Sequence, residues 1–238
     1  PTEAGLNKYD GTRVHQFVSD PWDSTSILSR VIIAIAETRD GRLLLSYNDG
    51  SVSRFDPSSG KSTHFRSSET DSTRLLVDTA YGLTEDQNGI IWTTPLNGGL
   101  QRLDPKTGEV MRFGMIGSGA EFEVGSGFVL ESEDGLLYMS GTNGLLEFNP
   151  ETLKFRQVSS TPTPWNARFE SENQDFLWQS GGQNVVVRTH RLTGEETTFL
   201  MDTPAYDVQP DPGDGNVVWV AGPTGVTRLD TQSGSRRT

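Results

Sequence analysis

A short unit recurs along this chain and limits its fold more than any other feature. Three copies read GIIWTTPLNGGLQRLDPKTGEVMRF at 89–113, GLLYMSGTNGLLEFNPETLKFRQV at 135–158 and GNVVWVAGPTGVTRLDTQSG at 215–234. One anchor of the unit, a polar residue that closes a strand, recurs at intervals of 40 to 48 residues, at Asp10, Asp56, Asp104, Asn149, His190 and Asp230. A fixed period in this range is typical of propeller repeats.

Each unit consists of predicted strands. In residues 80–114 the runs AYGLTED, IIWTTP, GLQRLD and EVMRF are separated by the turns QNG, LNG and PKTG. Apolar and β-branched runs bounded by Gly, Asn, Asp and Pro predict antiparallel hairpins, and no segment has a sustained helical period. The sequence therefore predicts an all-β fold, a β-propeller with four-stranded antiparallel blades.

About five to six blades are predicted within a single domain, 1–238. Residues 5–18 form a partial blade, 31–66, 80–114, 127–158 and 166–200 form full blades, and 205–231 supply three strands of the last. The two ends overlap in their third strand, so the ring is either incomplete in this chain or closed irregularly. We therefore expect a piece of a longer product, an expectation that the lack of a signal peptide also favours.

A large apolar residue occupies one register of the second strand in each blade. The positions are Trp92, Tyr138, Trp178 and Trp219, with Leu44 in the first full copy. A ring of ligand-binding aromatics is one interpretation. Packing between neighbouring blades is favoured, because a single repeat cannot bury its own faces.

Composition narrows the partners and the chemistry. The 20 basic and 32 acidic residues give a net charge of −12, which argues against nucleic acid and against direct contact with an anionic membrane. The absence of cysteine excludes disulfides and thiolate metal ligands. No apolar run approaches the roughly 20 residues that a membrane span needs. We expect no cofactor.

The acidic turns and the three histidines give little indication of a catalytic or metal site. Turns such as Asp40-Gly41 and Asp134-Gly135 offer too few clustered oxygens for a calcium loop, so a turn-capping role is favoured. His15, His64 and His190 fall in different blades, and His190 stands where other copies have Asp or Asn. We predict no catalytic residue and no metal ligand.

The loops are the remaining candidates for ligand binding, because loops on a rigid scaffold commonly carry function. Trp22 and Trp165 lie in predicted loops, outside the repeated aromatic register. An indole can stack on a sugar or a peptide, and Arg168 can pair with a carboxylate. The predicted site is Trp22, Tyr47, Asn143, Trp165 and Arg168. Local packing or a dimer contact is the alternative for each.

The motifs resemble the two-component regulator propeller repeat. TEDQNGIIW and GGLQRLDPKTGEVMRF match that family's strand, turn and Asp-Pro features, and DPWDSTSILS resembles a linker between its early blades. The fourth copy departs from the pattern, with SENQDFLW and VVVRTHRLTG. The resemblance implies a periplasmic sensor region of a membrane-anchored receptor. Its output module, a histidine kinase or a diguanylate cyclase, would lie outside this sequence.

Three functions follow from these observations. We expect a non-catalytic sensory propeller that binds a small molecule, with an oligosaccharide as one candidate. The alternative is a protein-interaction or homodimerisation platform. The third is an enzyme similar to the streptogramin lyases, which are propellers whose chemistry requires a histidine beside an acid. No histidine-containing strand here fits the pattern of that family.

Overall fold

The structure is a computed structural model that describes residues 5–141, 144–161, 166–169, 174–180 and 183–238. These residues contain 22 β-strands and no helix. The strands form one two-stranded sheet and five four-stranded sheets. In each four-stranded sheet, consecutive strands along the chain are neighbours, as in an antiparallel meander.

The strands follow the repeat in chain order. The two-stranded sheet holds β1 (Leu6–Tyr9) and β2 (Val14–Phe17). The next two sheets hold β3 (Ile32–Glu37), β4 (Leu43–Tyr47), β5 (Val52–Asp56) and β6 (Lys61–Phe65), then β7 (Ala80–Glu85), β8 (Ile91–Pro95), β9 (Leu100–Leu103) and β10 (Val110–Phe113). The fourth holds β11 (Val124–Glu131), β12 (Leu137–Gly141), β13 (Gly144–Asn149) and β14 (Lys154–Ser159). The last two hold β15 (Asn166–Phe169), β16 (Phe176–Ser180), β17 (Val185–His190) and β18 (Glu196–Leu200), then β19 (Asp207–Pro210), β20 (Val217–Gly222), β21 (Gly225–Asp230) and β22 (Arg236–Arg237).

The final strand is shorter than the others and was not expected from the polar segment SGSRRT. Arg236 and Arg237 pair with Leu229 and Arg228. The guanidinium of Arg236 also donates to the backbone oxygen of Leu200 at 2.6 Å. These bonds show how a two-residue strand without apolar side chains can be held in place.

The chain divides into two compact units, 1–129 and 130–238. In the first unit, adjacent residues of β4 point into different cores. Leu44 packs in a cluster with Leu83 and Ile91 of the following sheet. Leu45 packs in a second cluster with Leu6 and residues of its own sheet. Strand β4 is therefore buried on both faces, which explains why it begins with three consecutive leucines.

The second unit has a comparable core, centred on Trp178 of β16. Trp178 packs with Val208, Val218 and Leu229 of the next sheet. Its ring also lies 5.4 Å from that of Phe199 on β18. Apolar side chains thus join neighbouring sheets in this unit as they do in the first.

The large apolar residue repeated in the second strand of each blade is buried at most of its positions. Leu44, Trp92, Tyr138 and Trp178 are fully buried, whereas Trp219 is 38% exposed. A fully buried side chain has no surface to offer a ligand. The packing interpretation therefore holds for the first four positions.

Polar bonds between neighbouring sheets accompany this packing within each unit. Glu85 accepts from the guanidinium of Arg54 at 2.5 Å and from the backbone N–H of Arg39 at 3.1 Å. In the second unit, the side-chain oxygen of Gln174 accepts the backbone N–H of Glu133 at 2.8 Å. The irregular fourth copy therefore also accepts a bond from the preceding sheet, through an amide at a different position of the repeat.

We predict that Trp178→Ala lowers the free energy of unfolding by about 3–5 kcal/mol, because it leaves a cavity between two sheets. Trp219→Ala should lower it clearly less, since that indole is already partly in solvent. Urea unfolding followed by circular dichroism measures both. Equal losses in the two variants would contradict the packing role assigned to this register.

Candidate ligand-binding surface

The acidic residues of the first turn in each repeat are hydrogen-bonded within the fold. Asp86, which is buried, accepts the backbone N–H groups of Asn88 and Ile90 at 2.9 and 3.0 Å through one oxygen. Its other oxygen accepts the indole N–H of Trp92 at 2.8 Å. In the last sheet, Asp211 likewise accepts the indole N–H of Trp219, at 2.7 Å. These carboxylates cap turns and orient the repeated aromatic residue.

The second anchor of the repeat caps the turn between the third and fourth strands. Its side chain accepts backbone N–H groups two or three residues further on at Asp10, Asp56, Asp104, Asn149, His190 and Asp230. Hydrogen bonds from the Arg13 and Thr12 backbone hold the pKa of Asp10 well below its usual range. At His190 the acceptor is Nδ1, which faces the N–H groups of Leu192 and Thr193 at 3.3 Å. The histidine thus replaces a carboxylate in a structural turn.

Tyr138 obtains its carboxylate partner from a neighbouring strand. Its hydroxyl donates to Glu147 at 2.6 Å, and Arg156 Nε donates to the other oxygen of Glu147 at 2.9 Å. Burial by itself would raise the pKa of Glu147, but the bonds from Arg156 and Tyr138 outweigh it and lower the pKa. Arg191 extends this group, because one of its terminal nitrogens forms an ion pair with Asp134 at 2.8 Å and also donates to the Tyr138 hydroxyl at 3.4 Å. These charges are paired inside the fold.

All three histidines lie in the described part of the chain. His15 approaches Asp10 at 3.3 Å on an exposed hairpin, where Asp10 already caps the turn. His64 contacts serine groups, and His190 caps its own turn. None of the three imidazoles has a hydrogen bond or an ion pair with a glutamate side chain among the described residues. Within the described residues, no group of three or more His, Asp or Glu side chains is placed to hold a metal ion.

Trp22 and Tyr47 are the predicted site residues whose side chains the structure describes, and of these two Trp22 is exposed. Its side chain is 95% exposed, but its loop is held by several hydrogen bonds. Its backbone N–H donates to Asp20 at 2.9 Å, and the Ser26 hydroxyl bonds to the N–H and carbonyl of Asp20. The loop is also tied to β6, since Ser62 N–H donates to the carbonyl of Thr25 at 2.7 Å. The Trp22 loop is therefore ordered by hydrogen bonds, and the indole of Trp22 is exposed to solvent.

Tyr47 lies in a different environment. Its side chain is fully buried in the core of the first unit, and its hydroxyl accepts the backbone N–H of Leu28 at 3.3 Å. Burial raises the pKa of this phenol. As placed here, the ring supports the segment that follows the Trp22 loop.

The other three predicted site residues cannot be placed against these two. Asn143 and Trp165 lie outside the described residues. The backbone of Arg168 pairs with that of Trp178 in β15 and β16, while its side chain is outside the described part. The predicted set of five residues therefore stays a prediction.

The first unit contains a cleft that sequence reasoning missed. It has a volume of about 250 Å³ and is lined by His64, Phe65, Arg66, Arg74, Leu75, Leu103, Lys106, Thr107, Gly108 and Val110. These residues come from β6, β9 and β10 and from the segments before β7 and after β9. They are spread over more than forty positions, so no local motif indicated the cleft.

His64 connects the wall of this cleft to the Trp22 loop. Its Nε2 lies 3.1 Å from the carbonyl oxygen of Ser24, and its Nδ1 lies 2.8 Å from the hydroxyl of Ser53. A carbonyl only accepts, so Nε2 carries the proton, and Nδ1 can accept from Ser53. Burial lowers the pKa of His64, which also favours this neutral form.

Comparisons with known proteins identify fold relatives. No protein-family model and no curated protein matches the chain. The extracellular domain of a protein named as the hybrid two-component system BT3049, from B. thetaiotaomicron, has a TM-score of 0.76 and 18% identity over 96% of this chain and 31% of that chain. The corresponding domain of BT4673 from the same organism has a TM-score of 0.70 and 16% identity over 97% and 32%. Virginiamycin B lyase from Staphylococcus aureus has a TM-score of 0.65 and 20% identity over 87% and 68%.

These similarities, together with the four-stranded antiparallel sheets, define the chain as an all-β protein with the β-propeller fold. The chain spans about a third of the length of the two extracellular domains. Identities of this size are evidence for a shared fold alone.

We predict that Glu147→Gln destabilises the protein at pH 7 by about 1–2 kcal/mol, because it weakens charge-assisted bonds to Arg156 and Tyr138. The pKa of Glu147 is lower in the folded than in the unfolded protein. Its contribution is thus complete above the unfolded pKa, about 4.3, and is lost as pH falls through the folded pKa. The difference in the free energy of unfolding between wild type and Glu147→Gln should therefore become smaller as pH falls.

Urea titrations at pH 7, 5 and 3 measure this dependence, with the exposed Glu151→Gln as the matched control. The control should show little change at any of the three values. A Glu147→Gln penalty that stays constant down to pH 3 would show that the carboxylate charge does not contribute.

Proposed function

We propose that this chain is part of the extracytoplasmic, ligand-sensing region of a bacterial transmembrane signalling protein. The observation that carries the proposal is the fold similarity, over 96% of the chain, to the extracellular domain of a protein named as a hybrid two-component system. The motifs TEDQNGIIW and GGLQRLDPKTGEVMRF support the same class from the sequence alone. No helix in the described residues is long and apolar enough to cross a membrane. The membrane anchor and the kinase or cyclase module would be supplied by other parts of the protein.

The sequence of the complete gene product tests this proposal directly. We expect a membrane span of about 20 apolar residues, followed by kinase or cyclase motifs. A secretion signal and a natural stop codon directly after the propeller would contradict it.

The Trp22 loop is the described feature that best fits ligand recognition. Exposed aromatic rings stack on sugar or peptide surfaces, and a loop that is already ordered loses little freedom when it binds. Asp20, Ser26 and the bond from Ser62 to Thr25 provide that order. Trp22 is therefore the first residue to test for contact with a small molecule.

We predict that Trp22→Ala weakens ligand binding at least tenfold while it shifts the melting temperature by no more than about 2 °C, as expected for a surface substitution. A thermal-shift screen of neutral oligosaccharides and free amino acids first identifies a stabilising compound. Isothermal titration then compares wild type, Trp22→Ala and the control Tyr81→Ala, which removes another exposed aromatic residue. Unchanged affinity in Trp22→Ala would remove this residue from the site.

A protein-interaction platform is the second candidate, and one surface feature favours it. Tyr9 and Val14 are direct cross-strand partners on the β1–β2 hairpin. Both are largely exposed, at 68% and 63%. An apolar pair in solvent at this position would gain stability from being covered by a second copy of the chain.

For this candidate we predict a concentration-dependent dimer that the double variant Tyr9→Ser/Val14→Ser disrupts. Sedimentation velocity on both proteins measures the change. The matched control is Leu192→Ser, which removes an exposed apolar side chain elsewhere. A wild-type protein that stays monomeric at high concentration would exclude the homodimer.

The lyase gains no further support beyond the fold. This chain covers 68% of virginiamycin B lyase, at 20% identity. The histidine chemistry of such an enzyme requires a histidine beside an acid. The one described histidine–carboxylate pair, His15 and Asp10, lies on an exposed hairpin where water is not excluded.

A further inference from the structure

The cleft of the first unit is lined by positive charges, although the chain as a whole is negatively charged. The chain carries a net charge of −12, yet no aspartate or glutamate lines the cleft. Three permanent cations do so, Arg66, Arg74 and Lys106. In the tautomer set by Ser24 and Ser53, His64 is neutral and adds no charge. Three cations with no lining carboxylate create a local positive potential.

Two of these cations have no counter-charge in the described structure. Arg66 and Lys106 make no ion pair and no side-chain hydrogen bond with any described residue. Arg74 pairs with Asp71 through Nε alone, at 3.1 Å. Its terminal nitrogens therefore remain available for an oxyanion. Guanidinium groups bind carboxylate, phosphate and sulfate oxygens in a fixed, often bidentate geometry.

The inner wall of the cleft is apolar. Leu75 and Leu103 are almost fully buried, and Phe65 and Val110 pack against the same cluster. Apolar walls lower the local dielectric constant, so each charge interaction at the mouth is stronger than on an open surface. The volume, about 250 Å³, suits a small organic molecule better than a bare ion.

The fold does not require these cations. Lys106 follows the repeat anchor Asp104 by two positions, where the other five copies have Thr12, Ser58, Glu151, Leu192 and Gln232. Arg66 directly follows β6, and the residue that directly follows β10 is Gly114. A residue needed to build the repeat would recur in register, as the turn-capping carboxylates do. Arg66 and Lys106 are particular to this cleft.

We propose that the cleft is a binding site for a small organic anion, with one carboxylate, phosphate or sulfate group on an apolar body. The oxyanion lies against Arg66, Arg74 and Lys106, and the body contacts Leu75, Leu103 and Val110. This site is separate from the Trp22 loop and does not depend on a sensory role, because it rests on the charges and the shape of the cleft.

Benzoate, phenyl phosphate and phenyl sulfate are the probes, with benzyl alcohol as the neutral counterpart of similar size. Isothermal titration of the whole chain at low salt should give a Kd of about 1 mM or lower for at least one anion. The anion that binds most tightly identifies the preferred head group. Benzyl alcohol should bind at least tenfold more weakly, and raising NaCl from about 25 to 300 mM should weaken the anion several-fold.

The double variant Arg66→Gln/Lys106→Gln should weaken anion binding at least tenfold without a change in circular dichroism or melting temperature, because both side chains are exposed and unpaired. The matched control is Lys154→Gln/Arg237→Gln, which removes the same net charge from exposed positions outside the cleft. It should retain the wild-type Kd within about twofold. Equal affinity in the two double variants, equal binding of benzyl alcohol, or no binding of any probe at 10 mM would each overturn the proposal.

Discussion

The burial of both faces of the four-stranded sheets is the constraint on which the rest of each unit depends. A sheet with two apolar faces cannot be stable alone, so it needs a neighbour on each side. Leu44 and Leu45 show how one strand meets this requirement, because adjacent residues enter two different cores. Trp178 makes the same kind of contact with the following sheet in the second unit. The aromatic register therefore follows from packing. Its buried side chains contact the core and are not available to a ligand.

The polar groups of the repeat likewise form hydrogen bonds within the fold. The carboxylates of Asp86 and Asp211 each hold an indole N–H and backbone N–H groups. Tyr138 lacks an indole N–H but has a hydroxyl, and Glu147 supplies the acceptor from the next strand. The chemistry of the pair changes, but in each case a carboxylate accepts from the polar group of the repeated aromatic residue, and for the buried Trp92 and Tyr138 this satisfies a buried donor. Most acidic residues that resemble a site in the sequence are thus part of the turns.

The sequence predicted the features that repeat and failed at those that do not. The four-stranded unit, the turn-capping acids and the packed register at Trp92 and Trp178 follow from a pattern repeated often enough to be separated from chance. The burial of Tyr47 could not be predicted in this way. Tyr47 ends β4, a strand buried on both faces, so alternation gives no indication of which side chains face solvent. The cleft was invisible for another reason, since Arg66, Arg74 and Lys106 belong to different elements and only the packing of two sheets brings them together.

Residues that recur in register and residues that do not are expected to have different roles. A side chain that recurs in register is explained by the fold, and its substitution reports on stability. Arg66 and Lys106 depart from the register, and their side chains have no partner among the described residues, so no contact in that part of the fold depends on them. Like charges held near one another also repel. The Trp22 loop is held by hydrogen bonds, but its indole is exposed, so apolar surface stays in water and adds no packing to the fold. In both places a bound partner would relieve a cost that the folded chain carries alone, and this is the physical reason to look for ligands there.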